Sequence, residues 1–131
     1  MKYDVIFGID PDVDKSGLAI LRFGPNGFYT ASLLNLDVPQ LVQYVAAEVM
    51  AVLQNKMTYT IQIEAGWLNK SHWHLSSKDS KASAAAKGNS VGRNHELGRT
   101  IVKFLRMAEA NVEEAKPLPT MWKGPGGKIT Q

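Results

Sequence analysis

The stretch that decides the fold is residues 3–23, YDVIFGIDPDVDKSGLAILRF. Residues 3–9 are almost continuously apolar and rich in β-formers, which predicts a buried central strand. Residues 17–23 predict a second strand. The turn between them carries three alternating aspartates, Asp10, Asp12 and Asp14. This pattern is typical either of a calcium loop or of a strand end at which one aspartate binds a metal.

The calcium loop does not fit the residues that follow. An EF-hand loop needs a glycine at its sixth position and a bidentate glutamate at its twelfth. Counted from Asp10, those positions hold Lys15 and Leu21, and the flanking segments predict strands rather than helices. We therefore expect Asp12 and Asp14 to belong to a hairpin turn, which leaves Asp10 as the candidate metal ligand.

The rest of the chain is predicted to contain both strands and helices. A GPNG turn at 24–27 precedes a third strand, and Asp37 and Pro39 are suited to the N-cap and first turn of a helix. The predicted elements after that turn are a strand at 28–36, a helix from residue 38, a strand at 57–66 that ends at Glu64, a helix from Ser90, and a weak strand at 111–118. The order β-β-β-α-β-α-β predicts an α/β fold with a mixed five-stranded sheet and helices packed on it.

This order also predicts where two carboxylates meet. A right-handed crossover places the fourth strand parallel to and beside the first. Asp10 and Glu64 end those strands and are expected at the same edge of the sheet, where sites in parallel sheets collect. Carboxylate oxygens suit Mg²⁺, and paired ions can serve phosphodiester hydrolysis.

Composition sets the broad class of the protein. The 131 residues suit a single domain, with 44% hydrophobic and 21% charged residues. There is no cysteine, which excludes disulfides and thiolate metal sites and is compatible with an intracellular location. We expect no membrane span and no signal peptide, because the chain lacks a long apolar run and a charged, then apolar, N-terminus.

Charge is distributed unevenly around a net value of +3. Residues 1–68 hold 4 Lys/Arg and 7 Asp/Glu, whereas residues 69–131 hold 11 Lys/Arg and 5 Asp/Glu. An acidic half beside a basic half fits carboxylates that hold cations and basic residues that hold a polyanion, although basic residues also simply solubilise a surface.

The second half supplies the candidate nucleic-acid contacts. Residues 67–89 predict a long, mobile, basic loop. The candidate binding residues are Lys70, Trp73, Lys78, Lys81, Lys87, Arg93, Asn94, Arg99, Lys123 and Lys128. Trp67 and Trp73 suit either base stacking or packing. Backbone N–H groups near Arg93, in the expected first turn of the second helix, would attract phosphate. A zinc site at His72 and His74 is not favoured, because no further ligand stands at a suitable spacing.

Several of these stretches resemble one family. IFGIDPDVDKSGLAIL at 6–21 resembles the first hairpin of the RuvC-like Holliday junction resolvases, in the RNase H-like superfamily, and IQIEAGW at 61–67 resembles their second acidic motif. More weakly, SVGRNHELGRTI at 90–101 and WKGPGGKIT at 122–130 resemble the helix and loop that follow. The resemblance covers essentially the whole chain.

The resemblance implies an RNase H-like fold and a metal-dependent endonuclease. It would cut branched DNA such as four-way junctions, use Mg²⁺ or Mn²⁺, with two ions expected, and act as a homodimer. We expect such a protein to be bacterial or phage-encoded, cytoplasmic and associated with the nucleoid. Asp10 and Glu64 match the catalytic and metal-binding carboxylates of the first and fourth strands. The family's other carboxylates lie on a C-terminal helix, whereas no Asp or Glu follows Glu114 here.

Three hypotheses therefore stay open from the sequence. The 131-residue chain is either a C-terminally truncated nuclease domain or a degenerate member that binds DNA or oligomerises without cutting. In both cases we expect cleavage by the 131-residue chain itself to be much weakened or absent. Glu96 is a weak substitute ligand and is more readily interpreted as a solvated helical residue. A sugar-kinase or actin-like domain shares the opening hairpin but needs a longer chain and a different phosphate loop.

Overall fold

The protein is described by a computed structural model that covers residues 2–68 and 81–116, with the backbone alone described for residues 81–91. The strands are β1 (Val5–Asp10), β2 (Ser16–Phe23), β3 (Tyr29–Leu36), β4 (Tyr59–Glu64) and β5 (Val112–Ala115). The helices are α1 (Val38–Gln54) and α2 (Lys81–Met107), and short 3-10 turns lie at Pro25–Gly27 and Gly66–Leu68.

The five strands form one mixed sheet in the order β3-β2-β1-β4-β5. The first three strands are antiparallel neighbours, whereas β4 runs parallel to β1 and β5 runs parallel to β4. The element order and the parallel pairing of β1 with β4 are those predicted from the sequence. The predicted α/β fold, a mixed five-stranded sheet with helices packed on it, is confirmed.

One face of the sheet is covered by the two helices. Alternate residues of the central strands point to this face, because successive side chains of a strand point to opposite sides. Phe7, Ile61 and Ile63 are fully buried there. They pack with the apolar side of α1, represented by Leu41 and Val45, and the core also includes Ile101, Val102 and Leu105 of α2.

The N-terminus of α1 forms as its sequence predicts. Asp37 is the N-cap, and its Oδ1 accepts a hydrogen bond from the backbone N–H of Gln40 at 2.9 Å. The proline predicted for the first turn is in place there, where its missing N–H costs nothing. This cap fixes where the chain leaves β3 and crosses the sheet toward β4.

Helix α2 begins earlier than its sequence pattern indicated. The predicted start was Ser90, but the helix begins at Lys81. The alanines at 82 and 84–86 favour this extension, since alanine is the strongest helix former. Residues 81–89 are therefore helical rather than loop, and residues 69–80 of the predicted mobile loop lie outside the described residues. In the described part of the chain, no helix is both long and apolar enough to cross a membrane.

The opposite face of the sheet is open among the described residues. A groove of about 770 Å³ crosses it from β3 to β5. Small residues, Gly8, Gly17 and Ala19, contribute to its lining, and Leu33 lies in its wall with 81% of its surface exposed. Asp10 and Glu64 also line this groove, so the open face ends at the predicted site.

Candidate metal centre and nucleic-acid interface

Two carboxylates meet where β1 and β4 end. Ile9 of β1 lies opposite Ile63 of β4 in the parallel register. Asp10 and Glu64 are the next residues and the last of their strands, and both are exposed. The hydrogen-bonded register of the two parallel strands holds the side chains together, so the structure brings together the pair that the crossover argument predicted.

The surroundings of the pair change the ease with which Glu64 loses its proton. The pKa of Glu64 is raised above its ordinary value, first by partial burial, then by the negative charge of Asp10, and then by a side-chain hydrogen bond with Asp10. Like charges in contact disfavour the doubly ionised state. The pair is therefore a place where a proton or a cation relieves repulsion.

The turn after Asp10 uses the next two aspartates structurally. The Asp14 backbone N–H donates to Asp12 Oδ1, and the Asp12 backbone N–H donates to Ser16 Oγ, each at 3.2 Å. Such side-chain bonds to nearby backbone are characteristic of aspartate in turns. The expectation that Asp12 and Asp14 form the hairpin turn is confirmed.

The same turn is tied to α2. The backbone N–H of Val13 donates to Asn94 Oδ1 at 3.1 Å, a bond between residues far apart in the chain. This contact holds the end of β1 against the helix. It also gives Asn94 a structural role in addition to the phosphate contact predicted for it.

A small cavity lies between the carboxylate pair and α2. Its volume is about 190 Å³, and its described lining consists of Asp10, Pro11, Glu64, Gly66, Trp67, Asn94 and His95. Sequence reasoning did not anticipate His95 here. The pattern NHELG, residues 94–98, places a histidine and a glycine three positions apart and hence on one side of a helix, which is the signal that was available.

The donor set of the pair suits a hard divalent cation. Mg²⁺ and Mn²⁺ prefer carboxylate oxygens, and Mg²⁺ commonly takes one or two of them together with water and substrate phosphate. Among the residues that the structure describes, no group of three or more His, Cys, Asp or Glu side chains is arranged to hold a metal ion. Asp10 and Glu64 thus offer two carboxylates, the number that Mg²⁺ commonly takes when water and substrate phosphate complete its coordination.

The sequence was compatible with either base stacking or packing for Trp67, and the structure shows that it packs. It lies against the hydrophobic core, and its indole Nε1 donates to Glu114 Oε1 at 2.9 Å. Gly98 of α2 makes room for the ring, because a Cβ there would overlap the indole and lie 3.2 Å from Pro11 Cγ. Trp67 therefore joins β4, β5 and α2 beside the carboxylate pair.

A basic groove runs along α2 from this tryptophan. It has a volume of about 580 Å³, and its charged lining includes Arg99, Lys103, Arg106 and Glu114. The Arg99 guanidinium lies 5.7 Å from the Trp67 ring centroid. Arg106 is partly engaged, because it forms an ion pair with Glu114 at 3.6 Å and donates to the Val112 carbonyl at 3.2 Å. We call this surface the α2 groove.

Three of the predicted nucleic-acid residues have described side chains. Arg93 and Arg99 are exposed, and Asn94 is half-buried. The expectation of free backbone N–H groups near Arg93 is wrong, because α2 begins at Lys81 and residues 92–94 lie inside the helix. Lys81 and Lys87 lie on α2 but their side chains are not described. Lys70, Trp73, Lys78, Lys123 and Lys128 lie outside the described residues.

Comparisons with known proteins give similarities to solved structures only. No protein-family model matches the chain, and no curated protein matches it. Nine solved chains match. Two are Thermus thermophilus RuvC structures, one of them in complex with a Holliday junction substrate, with sequence identities of 15% and 16% and a TM-score of 0.37 each.

A third similar structure is the yeast mitochondrial Holliday junction resolvase, at 9% identity and a TM-score of 0.40. Each comparison covers 86% of this chain, but only 66% and 64% of the two Thermus chains and 52% of the yeast chain. These identities and TM-scores do not assign the chain to a family.

Proposed function

We propose that this protein is a Mg²⁺- or Mn²⁺-dependent endonuclease that hydrolyses phosphodiester bonds of branched DNA, such as a four-way junction, and that it acts as a homodimer. One observation carries the proposal: Asp10 and Glu64 are held in contact at the ends of adjacent parallel strands, at the surface. Two mutually repelling carboxylates at an exposed sheet edge have no evident structural task.

The charge of the neighbouring surface supports a polyanionic substrate. Arg93, Arg99 and Lys103 are exposed on α2, and the α2 groove begins at Trp67, which also lines the small cavity beside the carboxylates. Cationic side chains beside acidic ones let a phosphate backbone approach while a cation occupies the carboxylates. We propose that the backbone of the DNA lies along this groove.

In this proposal Asp10 and Glu64 hold the cation, with two ions as the expected number in the presence of substrate. When bound, divalent cations activate water and stabilise the leaving oxygen of a phosphodiester. The chain itself supplies the rigid carboxylates, the tie between the β1 turn and α2, and the basic surface that orients the backbone.

A second candidate function is a DNA-binding module of the same fold that does not cut. It is favoured by the absence, within the described parts of the chain, of any group of three or more metal-ligating side chains. Both candidates predict salt-sensitive junction binding, because Lys and Arg contacts to phosphate release counterions. They differ in whether a divalent cation leads to cleavage.

The test measures cation binding, junction binding and cleavage on the same chain. We expect Mn²⁺ binding by isothermal titration calorimetry, junction binding that weakens steeply with salt, and weak cleavage of a labelled four-way junction with Mg²⁺ or Mn²⁺. Asp10→Asn is expected to abolish cation binding and cleavage while circular dichroism shows an unchanged fold.

Asp12→Asn is the matched control, because it removes the same charge two residues away and keeps the Oδ1 that accepts the Asp14 N–H bond. Equal loss in both variants, or full Mn²⁺ binding by Asp10→Asn, would show that Asp10 holds no cation. Junction and Mn²⁺ binding without any cleavage would select the second candidate.

A further inference from the structure

The small cavity beside the carboxylates has an opposite wall that the proposed metal centre does not use. That wall comes from α2, and among the described lining residues His95 is the one that offers an imidazole. The imidazole therefore shares this cavity with the carboxylate pair, and an imidazole ring carries at least one N–H that can donate a hydrogen bond.

The position of His95 is fixed by close packing. A Cβ on Gly66 would lie 2.8 Å from His95 Nε2 and 3.3 Å from its Cδ2, so the ring occupies space that only a glycine leaves open. Gly66 follows Glu64 by two residues. The imidazole is thus held directly beside the segment that leaves the carboxylate pair.

A second contact orients the ring. Trp67 and His95 meet edge to face, with ring centroids 6.1 Å apart and an interplanar angle of 74°. Trp67 is itself held by Gly98 and by its hydrogen bond to Glu114. A chain of packed groups therefore extends from α2 to the cavity, which is how a positioned functional side chain is usually supported.

We propose that His95 contacts the substrate: an imidazole N–H donates a hydrogen bond to a non-bridging oxygen of the phosphodiester whose cation is held by Asp10 and Glu64. This inference rests on the proposed function. His95 is assigned to phosphate rather than to the cation, because the described residues contain no group of three metal-ligating side chains. A donor at this wall offsets the repulsion between the phosphate and the two carboxylates.

The test separates a hydrogen bond from packing with two substitutions. His95→Gln keeps a side-chain N–H donor, whereas His95→Phe keeps an aromatic ring against Trp67 and removes both ring nitrogens. The measured quantities are the affinity for Mn²⁺ alone and the gain in affinity for a synthetic four-way junction when Mn²⁺ is added.

We expect His95→Phe and His95→Ala to bind Mn²⁺ within about twofold of wild type and to lose about tenfold of the Mn²⁺-dependent gain in junction affinity, the size of one hydrogen bond to a charged group. His95→Gln should recover part of this Mn²⁺-dependent gain. Gly66→Ala should behave like His95→Ala, because the added Cβ displaces the ring. Gly92→Ala is the control, since a Cβ there meets nothing within 4 Å.

Four outcomes would overturn the inference. Rescue by Phe and not by Gln would show that His95 only packs. Loss of Mn²⁺ affinity in His95→Ala, as large as in Asp10→Asn, would make it a cation ligand. If every His95 variant kept the full Mn²⁺-dependent gain in junction affinity, His95 would have no role in substrate binding, and the proposed function would stand. If the wild-type chain bound no Mn²⁺, both this inference and the proposed function would be overturned.

Discussion

The two faces of strand β1 differ in burial and in composition. Val5, Phe7 and Ile9 point to the helices and are at most 3% exposed, whereas Gly8 and Asp10 point to the open face and its groove. Strand β4 repeats the contrast, with Ile61 and Ile63 buried and Gln62 and Glu64 on the other side. Stability is thus concentrated on one face, and the other face can carry carboxylates that repel each other.

The largest effect on stability is expected from truncating a side chain on the face of the sheet that the helices cover. Phe7→Ala should lower the free energy of unfolding by about 3–5 kcal/mol, because it leaves a cavity among fully buried side chains. Leu33→Ala on the open face should change it by less than about 0.5 kcal/mol, since Leu33 is 81% exposed. Urea denaturation followed by circular dichroism measures both.

A comparable loss in Leu33→Ala would contradict this assignment, since it would mean that Leu33 is buried in the protein in solution. The two substitutions each remove carbon atoms from a strand of the same sheet. Their difference therefore measures how far the two faces differ in burial.

The next largest effect on stability is expected where α2 meets the end of β4. Gly98→Ala should cost about 1–3 kcal/mol, because its Cβ would overlap the Trp67 ring and force the helix outward. Gly92→Ala on the same helix should instead stabilise the protein by about 0.5–1 kcal/mol, as is usual when open space surrounds a helical glycine. Thermal and urea unfolding of the pair test this, and equal effects would refute the contact.

Much of the covered face could be predicted from the sequence, and the reason is periodicity. The apolar run of β1, the alternation of β4 and the Asp37 cap are local signals, and the right-handed crossover then places Asp10 beside Glu64. Each of these inferences needs only neighbouring residues and one rule of topology. That is why both the parallel pairing of β1 with β4 and the carboxylate pair were predictable.

The α2 side of the site could not be predicted in the same way. The position of His95 depends on how α2 docks, and docking is decided by Gly98 and Gly66, which leave room for Trp67 and for His95 itself. Small residues carry no periodic signal. The start of α2 was misplaced for a related reason: a stretch rich in Ser, Lys and Ala is typical of both a loop and a polar helix.

A smaller effect on stability is expected from the hydrogen bond between the Trp67 indole and Glu114. Trp67→Phe should cost about 0.5–1.5 kcal/mol, because it keeps a ring but removes the Nε1 bond to Glu114. Glu114→Ala should cost a similar amount, and the double variant should add little beyond either one, as expected for two partners of one bond. Strict additivity in urea denaturation would show that the bond contributes nothing.

The smallest effect on stability is expected from the pH dependence of the carboxylate pair. The pKa of Glu64 is raised above its ordinary value of 4.5, so the folded chain binds this proton more tightly than the unfolded chain. Its contribution to stability is therefore greatest below that ordinary value and falls as the pH rises through the raised value.

Glu64→Gln removes this titration and keeps the shape of the side chain. We expect the stability of the variant relative to wild type to increase between pH 4 and pH 7, by a small amount because Glu64 is exposed. At pH 7, added Mn²⁺ should stabilise wild type more than the variant, since the cation replaces the proton in relieving repulsion from Asp10. Unfolding free energies measured at several pH values test both parts, and a difference that stays constant with pH would mean that folding does not raise the pKa of Glu64.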